Sequence, residues 1–215
     1  MAIKIDWSVY QDRQRKANFT NHLIPESPYK SAGVSVIEVR KLAKTLSSPD
    51  IEVNYIEDIL LMGIIISSAK TPFSEKVKGF KEYEKYIVSW MATDITASSL
   101  YLRKEEREEA FLYFSSLLKR KEPMIQRFGV VNLLSSFFDE PYLIPSLENI
   151  SKINSEHYLL NMSIAWALSS AYVKDPALTV KYFKIVNDTV KKMAKQKCRD
   201  SKRLTAEARE LLKTI

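Results

Sequence analysis

Trp90 and Asp94 stand four residues apart, a spacing that puts both side chains on one face of a helix. Helical periodicity predicts one amphipathic helix over 83–98, with an inner stripe of Tyr83, Ile87, Trp90 and Asp94. The acid falls where Leu or Ile is expected. A carboxylate on an aromatic-lined inner face is costly unless it is paired or the face lines a cleft. An acid lining a cleft is a candidate for a functional site. The plainer alternative is a cap, with Thr93-Asp94 opening a turn into ITASSL.

Two later segments carry further candidates. In SEHYLLNMSIAWALSSAYV (155–173), Trp166 shares a face with Leu159, Met162 and Ser170. The segment is apolar nearly all the way round, so it belongs near the centre of the protein, and an indole there is ordinarily core. In PMIQRFGVVNLLSSFF (123–138), Arg127 flanks the stripe of Met124, Phe128, Val131 and Phe138. A guanidinium at the edge of an apolar face can hold a carboxylate or a phosphate through two parallel hydrogen bonds. The commoner case is a snorkelling or structurally paired arginine. Other constellations fail. His22 and His157 lack partners at metal-ligand spacing, and there is no GxSxG, P-loop or HExxH. The run Glu105, Glu106, Glu108 and Glu109 reads as the outer face at a helix start.

The elements that must position these residues are helical. Four glycines in 215 residues are too few for a sheet protein with many tight turns, and no segment reads as a strand. The pattern predicts helices near 7–21, 35–46, 49–67, 73–79, 81–97, 103–119, 123–138, 141–151, 155–173, 176–195 and 203–214. Ser48-Pro49, Glu122-Pro123, Glu140-Pro141 and Asp175-Pro176 mark boundaries, and Asn154-Ser155 opens the helix that contains Trp166. From 49 onward the helices pair at a period of stacked helical repeats. The expected fold is an all-α superhelical solenoid whose concave face is lined by 81–97, 123–138 and 155–173. One domain is expected over 1–215, with an N-terminal helix region at 1–30 and basic C-terminal helices at 181–215.

Charge placement points to a polyanion. The net charge is +7, and residues 181–215 hold eleven Lys or Arg against four acids, so this stretch carries the whole excess. Lys195, Lys197, Arg199, Lys202 and Arg203 are the candidate contacts; the bland alternative is a solvated helix pair. The N-terminal residues lack a signal-peptide core, and the apolar run 59–66 is too short to span a membrane. The single Cys198 excludes an internal disulfide framework and a Cys-rich zinc site. The expectation is a cytoplasmic monomer that uses no metal or other cofactor and has no membrane partner.

SWMATD (89–94), IQRFGVV (125–131), YLLNMSIAWALSSAYVKDP (158–176), QKCRDSKR (196–203) and AGVSVIEVRKLAK (32–44) together resemble the alkylpurine DNA glycosylases built from HEAT-like repeats, the AlkD group. The resemblance runs from about 32 to 205. It implies a concave basic DNA groove and excision of N3- and N7-alkylated purines from duplex DNA. It implies roles for Asp94, Trp90 and Trp166 at the lesion and for Arg127 on a backbone phosphate. An alkylated purine is a cationic leaving group, so cleavage needs no strong acid; the carboxylate would face an oxocarbenium-like sugar, and the indoles would hold the cationic nucleotide. Bound to DNA, such a protein would be nucleoid-associated. The chain departs from the family at Ile37, where a proline is frequent, and at Phe19, the nearest counterpart of an N-terminal tyrosine. The competing expectations are a non-catalytic protein that binds bent or branched DNA and a scaffold for a protein partner.

Overall fold

The computed structural model describes residues 2–10 and 13–215. Among them are twelve α-helices, three short 3-10 turns and no strand, so the protein is all-α. An isolated parallel bridge joins Ile3 to Ile51. The chain divides into two compact units, Met1–Glu109 and Ala110–Ile215.

Unit 1 contains α1 (Arg13–Leu23), α2 (Val36–Ala43), α3 (Ile56–Ser68), α4 (Phe73–Tyr83) and α5 (Trp90–Ala97). Helix α3, IEDILLMGIIISS, is apolar on every side and is buried along almost its whole length, with α2, α4 and α5 packed around it. Its two acids are buried at its N-terminal end, where the helix dipole favours them. Glu57 accepts hydrogen bonds from the Ser31 hydroxyl (2.6 Å) and from the N–H groups of Ala32, Gly33 and Val34 (2.8, 3.1 and 3.2 Å). Gly33, at φ 83°, supplies the left-handed residue that lets this loop wrap the carboxylate. Asp58 accepts from the Trp7 indole (2.8 Å) and from the N–H groups of Asn54 and Tyr55. The helix expected over 49–67 therefore begins only at Ile56. Ser48-Pro49 does not cap it, because Ile51 is held in the bridge to Ile3.

The helix expected over 83–98 is two elements. After α4 ends at Tyr83, a 3-10 turn covers Glu84–Tyr86, and Ser89 adopts an extended conformation and caps α5. The Ser89 hydroxyl accepts from the Ala92 N–H at 3.4 Å. The physical reason is local: β-branched Ile87 and Val88 precede a serine whose hydroxyl competes for backbone donors. Tyr83 thus leaves the Trp90–Asp94 face and crosses to α5 from α4, its hydroxyl donating to the Ala92 carbonyl (3.2 Å) and accepting from Thr96 (3.1 Å). Gly63 makes this crossing possible, since a Cβ there would sit 2.1 Å from Thr96 Oγ1 and 2.8 Å from the Tyr83 hydroxyl.

Helix α6 (Arg107–Leu117) leads into unit 2, which contains α7 (Pro123–Ser136), α8 (Leu143–Ile150), α9 (Tyr158–Lys174), α10 (Pro176–Phe183), α11 (Asp188–Asp200) and α12 (Ala206–Lys213). Here α9 is the hub, packed by α7, α8, α10 and α11. Glu122-Pro123 and Asp175-Pro176 start α7 and α10, and the Asp175 carboxylate accepts from the Leu178 N–H at 2.9 Å. The cap of α9 is His157, not Asn154-Ser155; its Nδ1 lies 3.4 Å from the Leu160 N–H. The helix expected over 176–195 is interrupted after Phe183, and Asn187 recaps the chain by accepting from Val190 N–H at 2.9 Å. Among the described residues, no helix is long and apolar enough to cross a membrane.

Candidate functional site

In unit 1, α5 carries Trp90 at its first position and Asp94 one turn later. Asp94 lies inside the helix, so it is not the cap that its sequence neighbours allow; the cap is Ser89. Its side chain is half-buried, and the Thr93 hydroxyl stands 2.7 Å from Asp94 Oδ1. That hydroxyl is also 2.8 Å from the Trp90 carbonyl, and its single proton serves one acceptor at a time. Trp90 is half-buried, and its indole N–H donates to the carbonyl of Leu23, the last residue of α1, at 2.8 Å. The ring is thereby fixed, and an otherwise open helix-end carbonyl is satisfied.

In unit 2, Arg127 and Trp166 have opposite fates. Arg127, on α7, is only 5 % exposed, and its Nη1 donates to the Leu159 carbonyl in the first turn of α9. Trp166, on α9, is 39 % exposed, so the ordinary fate of an indole on an apolar helix is not its own. It lines a cleft of about 290 Å³ with Ser169, Ser170, Val173, Lys197, Asp200, Ser201 and Arg203. Ser170 and Val173 follow Trp166 by four and seven, continuing its face of α9.

The opposite wall is built by α11. Its buried residues Val190, Ala194 and Cys198 recur every four positions, seat the helix against α9 and leave Lys197 at the edge of the cleft. Arg203 follows from the loop after α11. That turn is tied down by Arg209 of α12, which donates to the carbonyls of Arg199 (3.3 Å) and Ser201 (2.9 Å). Of the basic residues singled out by charge, Lys197 and Arg203 share the cleft with Trp166, whereas Lys195, Arg199 and Lys202 lie outside its lining. Arg199 and Lys202 are exposed, and Lys195 is half-buried. Asp200 is the charged lining residue that the sequence pattern did not single out. It accepts from Gln196 Nε2 at 2.8 Å, an i,i+4 pair readable in the sequence only as helix-surface polarity.

The acidic run needs one correction. Glu106 is not on an outer face: it is nearly buried and accepts from the N–H groups of Phe73 (3.1 Å) and Arg103 (3.0 Å). Burial pushes its pKa up, but the two N–H donors and the Arg103 and Lys76 charges outweigh that and hold the carboxyl below its ordinary value. It is the cap of α4 supplied from a distant segment.

The two units therefore present a half-buried carboxylate beside an anchored indole, and an open indole beside two cations. No group of three or more His, Cys, Asp or Glu placed to hold a metal occurs among the described residues. The fold and these side chains define an all-α protein with an aromatic, cation-flanked cleft. Protein-family models, curated proteins and solved structures contain no match to the chain.

Proposed function

We propose that this protein is an alkylpurine DNA glycosylase, hydrolysing the N-glycosidic bond of N3- or N7-alkylated purines in duplex DNA. The observation that carries the reading is Trp166, a tryptophan on an otherwise apolar hub helix, held open in a cleft with Lys197 and Arg203. An exposed indole can take a cationic base or its sugar against its face, and the cations suit flanking phosphates. Asp94, half-buried inside α5, supplies the carboxylate such a reaction requires, and the ring anchored at Trp90 keeps that face in place. The positive charge on the alkylated purine makes it leave without a proton donor, so one carboxylate suffices for the oxocarbenium-like sugar. The arrangement of the helices as a HEAT-like solenoid with a basic groove belongs to this same proposal. In it, Arg127 acts through the α7–α9 contact it makes and holds the helix that carries Trp166.

The test is release of free base from a duplex containing N7-methylguanine. Wild-type protein is expected to release it, and Asp94→Asn to lose at least about a hundredfold in rate. Wild-type protein without release rejects the enzymatic reading; release untouched by Asp94→Asn rejects the role of that carboxylate.

A second reading, a DNA-binding protein without chemistry, is favoured by the distribution of charge. Unit 2 holds seventeen Lys or Arg against ten acids, whereas unit 1, which holds Asp94, is balanced at sixteen of each. It predicts salt-sensitive binding to bent or branched DNA with no base released.

A further inference from the structure

Arg40 of α2 is held by two hydroxyls and not by a carboxylate. Its Nη1 donates to Ser99 Oγ at 2.7 Å and its Nη2 to Ser98 Oγ at 2.8 Å. Both hydroxyls pass their own protons to the Ile95 carbonyl, at 2.9 Å for Ser98 and 2.7 Å for Ser99. The donor directions along this chain are fixed: guanidinium to hydroxyl, hydroxyl to carbonyl. No carboxylate lies within ion-pair distance of Arg40 among the described residues. The nearest acid in sequence, Glu38, is taken by Lys41 at 2.7 Å.

The two serines sit at the C-terminal end of α5, with Ser98 as its C-cap and the Ser98 N–H on the Asp94 carbonyl at 3.0 Å. The negative end of the helix dipole stabilises a cation there without neutralising it. A guanidinium has five N–H donors, and two are used by the hydroxyls, so three remain. The group is thus always charged, locked in orientation, half-exposed and short of an anion. Ser98 follows Asp94 by four residues, so the backbone of this end of the helix stands about one turn from that of Asp94, roughly 6 Å along the axis.

We propose that Arg40, oriented by Ser98 and Ser99, seats a phosphodiester of the DNA backbone one helical turn from Asp94. The inference rests on the glycosylase reading and extends it. A nucleotide whose phosphate is gripped at the end of α5 has its own sugar within reach of the carboxylate farther up the same helix. Arg40 is then a positioning residue. It touches the backbone on every sequence, damaged or intact, and takes no part in bond cleavage.

The test measures binding of the full chain to an undamaged duplex and to an N7-methylguanine duplex across a salt series, together with base release. Arg40→Gln is expected to lower affinity about tenfold on both duplexes and to reduce the slope of log affinity against log salt by about 1. Where base is released, KM is expected to rise with kcat little changed. Arg40→Lys keeps the charge and loses the fork, so it should retain the slope and bind several-fold less tightly. If Arg40→Gln does not fold, Arg40→Lys decides: affinity equal to wild type overturns the proposal. A folded Arg40→Gln with unchanged slope and KM also overturns it, while base release by wild type leaves the glycosylase reading standing. A reduced slope with no base release from wild type supports the phosphate seat and removes the glycosylase. In a parallel arm, thermal stabilisation by inorganic phosphate that Arg40→Gln abolishes, with an unchanged DNA slope, identifies a free-phosphate site and overturns the DNA assignment.

Discussion

At the scale of single residues, burial decides which chemically capable groups can act. Cys198 reads in the sequence as a lone thiol of no stated use. The structure seals it under α9, and burial pushes its thiol up to about 12. It is expected to resist alkylation by iodoacetamide near pH 8 in the folded protein and to react fully in denaturant, which mass spectrometry would count. Lys76 is the corresponding case for a cation. It is buried, donates to the carbonyls of Ser67 (3.0 Å) and Tyr101, and lies 5.3 Å from the Tyr101 ring. Burial lowers it to about 8, against the neighbouring Glu106 charge, with Arg103 adding to the fall. Below about pH 8 both the folded and the unfolded chain hold this proton, and the cost of burying the cation is borne in full. Between about 8 and the ordinary lysine value the folded chain has released it and the unfolded chain has not, so stability rises with pH. The urea midpoint of wild type relative to Lys76→Met is expected to increase from about pH 7.5 to about pH 10. A difference that falls over this range contradicts the assignment.

At the scale of elements, two hub helices do the positioning, and for α9 the sequence predicts it. Both α3 and α9 are apolar all round, a pattern only a central helix tolerates. What their sequences did not announce is how closely neighbours approach. Gly63 lies under Thr96 and the Tyr83 hydroxyl, so Gly63→Ala forces α3 from α5 and is expected to cost about 3 kcal/mol or more, read as a fall in urea midpoint. The break before α5 lies in Ile87-Val88-Ser89, and periodicity bridges it because Trp90 and Asp94 continue the phase of Tyr83 and Ile87. Ser89→Ala is expected to cost about 1 kcal/mol through the lost cap and to weaken the placement of Asp94 along with it. The departures at Phe19 and Ile37 are both exposed, at 65 % and 67 %, so neither residue serves the core.

At the scale of the whole molecule, charge is partitioned between the units, with the excess of seven confined to unit 2. Binding to duplex DNA is therefore expected to fall steeply with salt. Replacing Lys197 and Arg203 together by Gln should reduce the slope of log affinity against log salt by about 2, as measured by fluorescence anisotropy. The amino-acid sequence by itself determined the all-α class, the apolar hub α9, the proline-marked starts at Pro123 and Pro176, and the location of the positive charge. Each of these is local: periodicity, proline geometry and charge count need no knowledge of neighbours. It also marked Trp166 and Asp94 as chemically capable. Tertiary packing alone decided that the indole of Trp166 stays open while Arg127 is buried, that Glu106 turns inward to cap α4, and that Arg40 stands on two serines 58 and 59 residues away. Exposure and pairing depend on what lies across the contact, and the residues across a contact are remote in sequence.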